Sequence, residues 1–160
     1  MKKLIVISDT HGSRKGIEEL MPLIAENDYV IHLGDGALDM REAMEQYPDK
    51  VYFCAGNCDF FSSIPDEGIL EVEQVKILYC HGHKYGVKNH LYSLAKAAQE
   101  KGCDIALYGH THQPLITEIE GVILINPGTL RYPAGKGGSY CYLVVEKKKP
   151  TAVIVGETAY

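Results

Sequence analysis
The sequence has no long apolar run. Leu4-Ile5-Val6-Ile7 is the only apolar stretch near the start, and it gives way at once to Ser8-Asp9. Four residues are too few for a secretory leader or a membrane span and suit a buried strand, so the protein is expected in the cytoplasm with no membrane partner. The chain also lacks a CxxC pair, and its five cysteines (54, 58, 80, 103 and 141) are an odd number. A disulfide scaffold and a cysteine-rich zinc site are therefore disfavoured. Reduced, buried thiols are expected at every position but Cys58. Basic clusters are missing too: the net charge is −5, and the one lysine trio, Lys147 to Lys149, lies between two apolar segments like a hairpin turn. A nucleic-acid partner is disfavoured on that ground. There is no repeat, low-complexity stretch or linker, and 160 residues suit one domain spanning 1–160.

What is present is an alternation of strand and helix. Leu4–Ile7 reads as a buried strand. Ile17, Leu20, Met21 and Ile24 follow at helical spacing. Tyr29–Leu33 is a strand, 37–46 a helix ending before Pro48, and Val51–Ala55 a third strand. This βαβαβ order predicts parallel strands with covering helices. The middle changes character, with strands at Ile69–Val72 and 75–80, a helix over Asn89–Lys101 stopped by Gly102, and a strand at 105–108. The last part holds strands at Leu115–Ile119, 122–125, 140–145 and 152–155. Glu120-Gly121 joins one pair of these, and 147–150 joins the other. Two stacked sheets flanked by helices account for the mixture, an α/β (α+β) fold.

The polar residues are concentrated where strands end. Five strands run into Asp9-Thr10-His11-Gly12, Gly34-Asp35-Gly36, Gly56-Asn57-Cys58-Asp59, His81-Gly82-His83 and Gly109-His110-Thr111-His112. In open α/β sheets, sites form beyond the carboxyl ends of strands. Carboxylate, amide and imidazole donors suit Mn²⁺, Fe, Co, Ni and Zn²⁺. In Asp9-x-His11 and His110-x-His112 the candidate ligands are two apart, and on extended backbone they point to one side. Each pair can grip one ion or bracket two. Asp35 is placed to bridge them. Two divalent ions against two carboxylates leave net positive charge, which favours an anionic substrate.

Taken in order, these segments resemble the signature of the calcineurin-like metallophosphoesterases: DxH, GD, GN[HC]D, a histidine after a strand, then GHxH. Asn126-Pro127-Gly128-Thr129 is similar to the NPG[ST] segment of the small YfcE-like phosphodiesterase branch. The resemblance covers nearly the whole chain and implies a two-sheet β-sandwich between helices (αββα). It also implies two metal ions per chain, Mn foremost, with Ni, Zn, Fe or Co suited as well. Asp9, His11 and His112 would hold one ion, Asn57, His81 and His110 the other, and Asp35 would bridge. A hydroxide between the metals would attack the phosphorus of a small phosphate ester, most readily a diester. Asp35, Asn57, Cys58 and His83 form the catalytic set this implies.

Many relatives carry histidine where this chain has Cys58, a thiol with a reference pKa near 8.5 against about 6.5 for imidazole. That makes Cys58 the weaker general acid. Either Cys58 or His83 could donate the proton, and His83 could instead orient His81. Asp59 is expected to brace a ligand or loop from behind, and Arg131 to touch phosphate. His32 and His90 read as structural, Asp39 and Asp66 as ordinary surface residues, and Arg14 and Lys15 as a solvated helix start. Tyr132, Tyr140 and Tyr142 are candidates for a homodimer face. The rival functions are a non-catalytic protein-binding scaffold on the same fold and a di-metal hydrolase of another ester or amide. A scaffold would be expected to have lost at least one ligand, and all seven positions carry competent side chains.

Overall fold
The computed structural model describes residues 1–60, 63–130 and 138–156. The strands are β1 (Lys2–Ile7), β2 (Tyr29–His32), β3 (Val51–Phe53), β4 (Glu67–Val72), β5 (Val75–Cys80), β6 (Ile105–Leu107), β7 (Leu115–Ile119), β8 (Val122–Asn126), β9 (Ser139–Glu146) and β10 (Lys149–Gly156). The helices are α1 (Arg14–Glu26), α2 (Arg41–Gln46) and α3 (Tyr92–Glu100). Two five-stranded sheets form, ordered β10-β9-β1-β2-β3 and β4-β5-β6-β8-β7. β1, β2 and β3 are parallel, as are β5, β6 and β8. Their carboxyl ends carry the polar segments.

Strand periodicity splits each apolar run between two cores. Leu4 and Val6 face the space between the sheets, together with Ile77, Tyr79, Ile105, Leu107 and Ile125. Ile5 and Ile7 face the other way and pack with Ile17, Leu20 and Ile24 of α1. On the second sheet, Leu78, Cys80 and Ala106 meet Leu94, Ala95 and Ala98 of α3. Leu4 to Ile7 are all fully buried because both faces of this sheet are covered there. Cys54, Cys80, Cys103 and Cys141 are buried free thiols, and Cys58 alone is exposed.

Three expectations need correction. The predicted helix over 37–46 divides into a 3₁₀ turn at Ala37–Met40 and α2, because the Asp39 side chain is engaged by the loop after β1. The helix predicted from Asn89 starts only at Tyr92. Gly86 adopts φ 64° and accepts hydrogen bonds from the Asn89 and His90 amides, so the preceding residues form a turn of their own. The predicted 147–150 turn shortens to Lys147-Lys148, and Pro150 lies within β10 opposite Val145. Proline fits there because β10 is an edge strand, where one amide hydrogen has no ladder partner to lose. Tyr140 and Tyr142 pack against the α1 core, and the Tyr142 hydroxyl donates to Asn27 Oδ1 at 3.1 Å. Two of the three proposed dimer-face tyrosines are thus partly spent within the chain, and Tyr132 lies outside the described residues.

Leu107→Ala removes a fully buried side chain from between the sheets. It is expected to cost about 2–5 kcal/mol in urea-unfolding free energy without changing the circular-dichroism spectrum of the folded state.

Candidate metal centre
Loops from both sheets meet at one end of the sandwich, and the main chain ties them together. The Asp9 amide donates to Gly34 O and the His11 amide to Asp35 O, each at 3.0 Å. The Gly109 amide donates to His81 O at 2.9 Å, and the Leu130 amide to Ser8 O at 3.0 Å. Two glycines permit this crowding. A Cβ on Gly56 would lie 2.1 Å from Asp35 Oδ1, and one on Gly109 would lie 2.1 Å from Ser8 Oγ. Among the described residues, ten non-glycine residues have positive φ. Five are in hairpin turns, and the other five are Asp9, His11, Asp35, His110 and His112. All five site residues were marked as candidate ligands by sequence. Holding a side chain in left-handed backbone costs about 1 kcal/mol or more and persists where the surroundings impose it.

Three groups of donor atoms, each within 4.8 Å of one another, lie side by side: Asp9, His11 and His112; His11, Asp35 and Cys58; and Asp35, His81 and His110. Asp9 is wholly buried, and its Oδ1 has no hydrogen-bond partner. His112 Nε2 lies 3.2 Å from that oxygen, His11 Nε2 3.7 Å and His81 Nε2 3.8 Å. His11 Nε2 is likewise unpartnered and is also 3.7 Å from Asp35 Oδ2. Buried polar atoms seldom go unsatisfied, and one cation among them satisfies the carboxylate and the imidazoles together. The residues fit a metal.

Several of the donors are braced from behind. His81 Nδ1–H donates to Leu33 O at 2.8 Å, which directs its Nε2 to within 3.3 Å of Asp35 Oδ2 and 3.1 Å of His110 Nδ1. The Leu33 carbonyl thus does the orienting considered for His83. The His83 ring stands 5.4 Å from that of His81, and its Nδ1 is buried without a partner. Asp59 accepts the amides of Asp35 and Gly56 at 2.8 Å, Gly36 at 3.0 Å and Ala37 at 3.3 Å. Asn126 Nδ2 donates to Gly109 O at 3.1 Å and Thr111 Oγ1 at 2.9 Å, fixing the His110–His112 loop. Asn57 sits on the exposed turn, its amide nitrogen 3.7 Å from Cys58 Sγ, and the Cys58 amide donates to Asp35 Oδ1 at 2.8 Å. Arg131 lies outside the described residues.

Asp39 was read as ordinary surface and is not. Its Oδ2 accepts from Thr10 Oγ1 at 2.6 Å and from the Gly12 amide at 2.8 Å. Thr10 Oγ1 is also 3.0 Å from His32 Nε2, and the Gly34 amide donates to His32 Nδ1 at 3.0 Å. That amide fixes the neutral tautomer, with Nε2–H donating to Thr10. No motif spacing marks Asp39; only the fold brings it there. Asp66 behaves as expected, exposed and paired with Lys84.

Charge states follow from these contacts. Burial alone would raise the Asp35 carboxyl, but bonds from His81 and the Cys58 amide hold it well below the usual range. Burial would lower the His81 imidazole, and Asp35 and Asp9 push it up instead. Burial, then the charge of His81, lowers both His83 and His110. Desolvation, then the Asp35 carboxylate, raises the Cys58 thiol.

Residues 1–148 match the family model described as the calcineurin-like phosphoesterase superfamily domain. The chain belongs to the calcineurin-like phosphoesterase superfamily. Within it, the chain is similar to YsnB of Bacillus subtilis strain 168, named "probable metallophosphoesterase". The two are 35% identical over 151 residues, covering 92% of this chain and 87% of YsnB. It is 28% identical over 160 residues to the phosphodiesterase YfcE of Escherichia coli K12, with 84% and 83% covered. A crystal structure of a "predicted phosphoesterase" from Streptococcus pneumoniae TIGR4 superposes with a TM-score of 0.80 at 25% identity, over 97% of this chain and 89% of the other. The two sheets and flanking helices are therefore the phosphoesterase fold.

His32 is fully buried and its pKa is lowered from 6.5 to about 4, chiefly by burial. The unfolded chain takes up this proton first as pH falls. The contribution is therefore fully present above pH 6.5 and is lost on descending to about 4, up to ~3 kcal/mol in all. His32→Gln should flatten the dependence of the urea midpoint on pH across that window. Equal slopes in the two proteins would remove His32 from the account.

Proposed function
We propose that this chain is a phosphodiesterase working with two divalent metal ions. The observation that carries the reading is Asp9 Oδ1, wholly buried, unpartnered and ringed by three imidazole nitrogens. Asp9, His11 and His112 would hold one ion, and His81, His110 and Asn57 the other. Asp35 stands between the two groups and touches both. Two such ions, when bound, supply Lewis acidity at the phosphoryl oxygens and acidify the attacking water. With oxygen and nitrogen donors, Mn²⁺ fits this set, as do Ni, Zn, Fe and Co. We read residues 1–160 as one such domain, acting in the cytoplasm on a small phosphate ester.

The protein's own groups divide the remaining work. The Leu33 carbonyl and Asp59 keep His81 and Asp35 aimed. His83 lies against His81 and His110 and holds no hydrogen bond at Nδ1, so we assign it a neutral hydrogen-bonding role toward the leaving oxygen. The Cys58 thiol, pushed upward, gives up its proton poorly at neutral pH. Aryl leaving groups need little protonation and are favoured. A diester carries one negative charge where a monoester carries two, so it has less need of cationic side chains beyond the metals, and the sequence offers few besides Arg14 and Arg131. The name of the YfcE relative agrees with this preference. The scaffold alternative is disfavoured because every candidate ligand position carries a competent side chain and the Asp35, His81 and His110 loops are tied in place.

Asp35→Asn and His110→Ala should each lower kcat more than about a hundredfold with metal supplied, since losing even the outer partner of a ligand costs 10–100-fold. Circular dichroism should stay unchanged, and excess chelator should abolish wild-type turnover. Near-normal rates in either variant, or in chelator, would refute the assignment.

For matched aryl esters, kcat/KM for the diester should exceed that for the monoester by roughly fivefold, the factor that one missing charge contact worth about 1 kcal/mol at 4 Å in water represents. A wild-type preference for the monoester would contradict the charge argument.

A further inference from the structure
We propose that Asp39 is a positioning residue of the metal centre: it closes a circuit of hydrogen bonds that sets Asp9 and His11 against Asp35 and so determines how tightly the first ion is held. The inference rests on the metal-centre reading and adds to it a residue that binds no ion itself. The circuit runs through groups none of which is a proposed ligand. The Gly34 amide donates to His32 Nδ1 at 3.0 Å, and His32 Nε2–H donates to Thr10 Oγ1 at 3.0 Å. Thr10 Oγ1–H donates to Asp39 Oδ2 at 2.6 Å, and the Asp39 amide donates to Gly36 O at 2.8 Å. Thr10 stands between Asp9 and His11 in the chain, and Asp35 between Gly34 and Gly36. Three proposed ligands are thus enclosed by one closed set of bonds.

Asp39 is the member on which the circuit turns. Its Oδ2 also accepts the Gly12 amide at 2.8 Å, so one carboxylate oxygen holds the chain on both sides of His11. Thr10 is wholly buried, and the next acceptor for its single hydroxyl hydrogen, Gly36 O, is farther off at 3.3 Å. The arrangement requires glycine at position 36. A Cβ there would lie 2.0 Å from Thr10 Oγ1, 2.7 Å from Asp39 Oδ2 and 2.9 Å from the His11 nitrogen, on backbone with φ 124°. The His11 amide in turn donates to Asp35 O at 3.0 Å. Asp9 and His11 sit at φ 55° and 46°, a conformation that persists where the surroundings impose it. Without the Asp39 carboxylate the Gly12 amide loses its partner, and Thr10 loses a charged acceptor, which makes the stronger bond. Part of the binding free energy then goes into ordering Asp9 and His11, and the loss falls on the ion they hold with His112. His81 and His110 are fixed by other groups, the Leu33 carbonyl and Asn126, and keep the second ion.

The test titrates Mn²⁺ into metal-free protein and resolves the two binding steps by isothermal calorimetry. Asp39→Ala is expected to weaken one step by about tenfold or more and the other by less than about threefold, in line with the roughly 10–100-fold that outer partners of ligands contribute. Asp39→Asn keeps an oxygen for Thr10 and Gly12 without the charge. It should fall between wild type and Asp39→Ala, and it carries the test if Asp39→Ala does not fold. Circular dichroism verifies each fold. Two further backgrounds identify the ion affected. With His112→Ala, which has already lost the first ion, Asp39→Ala should leave the remaining step unchanged. With His110→Ala its full effect should persist. A residue that serves stability alone lowers the urea midpoint and leaves both affinities of the folded protein as they were; that result overturns the inference. Equal weakening of both ions overturns it too, as does a full effect in the His112→Ala background. In these cases the metal-centre reading stands, because wild type still takes up two ions. Wild type that binds fewer than two Mn²⁺ ions overturns both.

Discussion
The four amides gathered by the Asp59 carboxylate hold the site in shape. β2 and β3 are neighbours in their sheet, but beyond their ends the ladder stops, and without Asp59 the Cys58 amide bond to Asp35 Oδ1 would be the main tie between the Gly34–Ala37 and Gly56–Asp59 segments. A charged acceptor shared among four donors replaces that missing ladder with bonds stronger than neutral ones. Asp35 is set by this arrangement, and through Asp35 so are His81, the Cys58 amide and the two groups of donors that meet there. A ligand field of this kind is a property of the loop backbone before it is a property of the ligands.

The second sheet is joined to the first by the same means at longer range. Leu33 O, at the end of β2, orients His81 at the end of β5. Asp9 Oδ2 accepts the amide of His110, and Thr129 Oγ1 donates to Asp9 O at 2.7 Å. Between the sheets lies a continuous apolar core, so the two halves of the site are mounted on one packed body. Their relative positions are fixed by that packing and not by the loops alone.

Much of this was legible in the residues. The buried run Leu4–Ile7, the helical spacing of Ile17, Leu20 and Ile24, and the glycine-flanked Asp and His residues each express a local rule. The structure agrees with all of them. Asp59 was also readable as a brace. What escaped were effects of the fold on local preference. Pro150 argues for a turn until β10 proves to be an edge strand. Residues 37–40 carry helical propensity, yet Asp39 is drawn to Thr10 and Gly12, partners more than twenty-five residues away in sequence. Asn89 to Leu91 look helical until Gly86 turns left-handed. At Asp39 a contact distant in sequence outweighed a preference worth a fraction of a kcal/mol; at Pro150 a hairpin pairing did so, and before α3 a local glycine turn.

The left-handed backbone at Asp9, His11, Asp35, His110 and His112 has an evolutionary consequence. Glycine accepts such dihedrals without penalty, and asparagine and aspartate more readily than most residues. Replacing any of the three histidines by glycine or asparagine would relieve backbone cost, so loss of the proposed ligands and a gain in folding stability would run in the same direction. On the metal-centre reading proposed above, five side chains held in this conformation are what continuing selection would keep, in a way that five relaxed ones would not reveal.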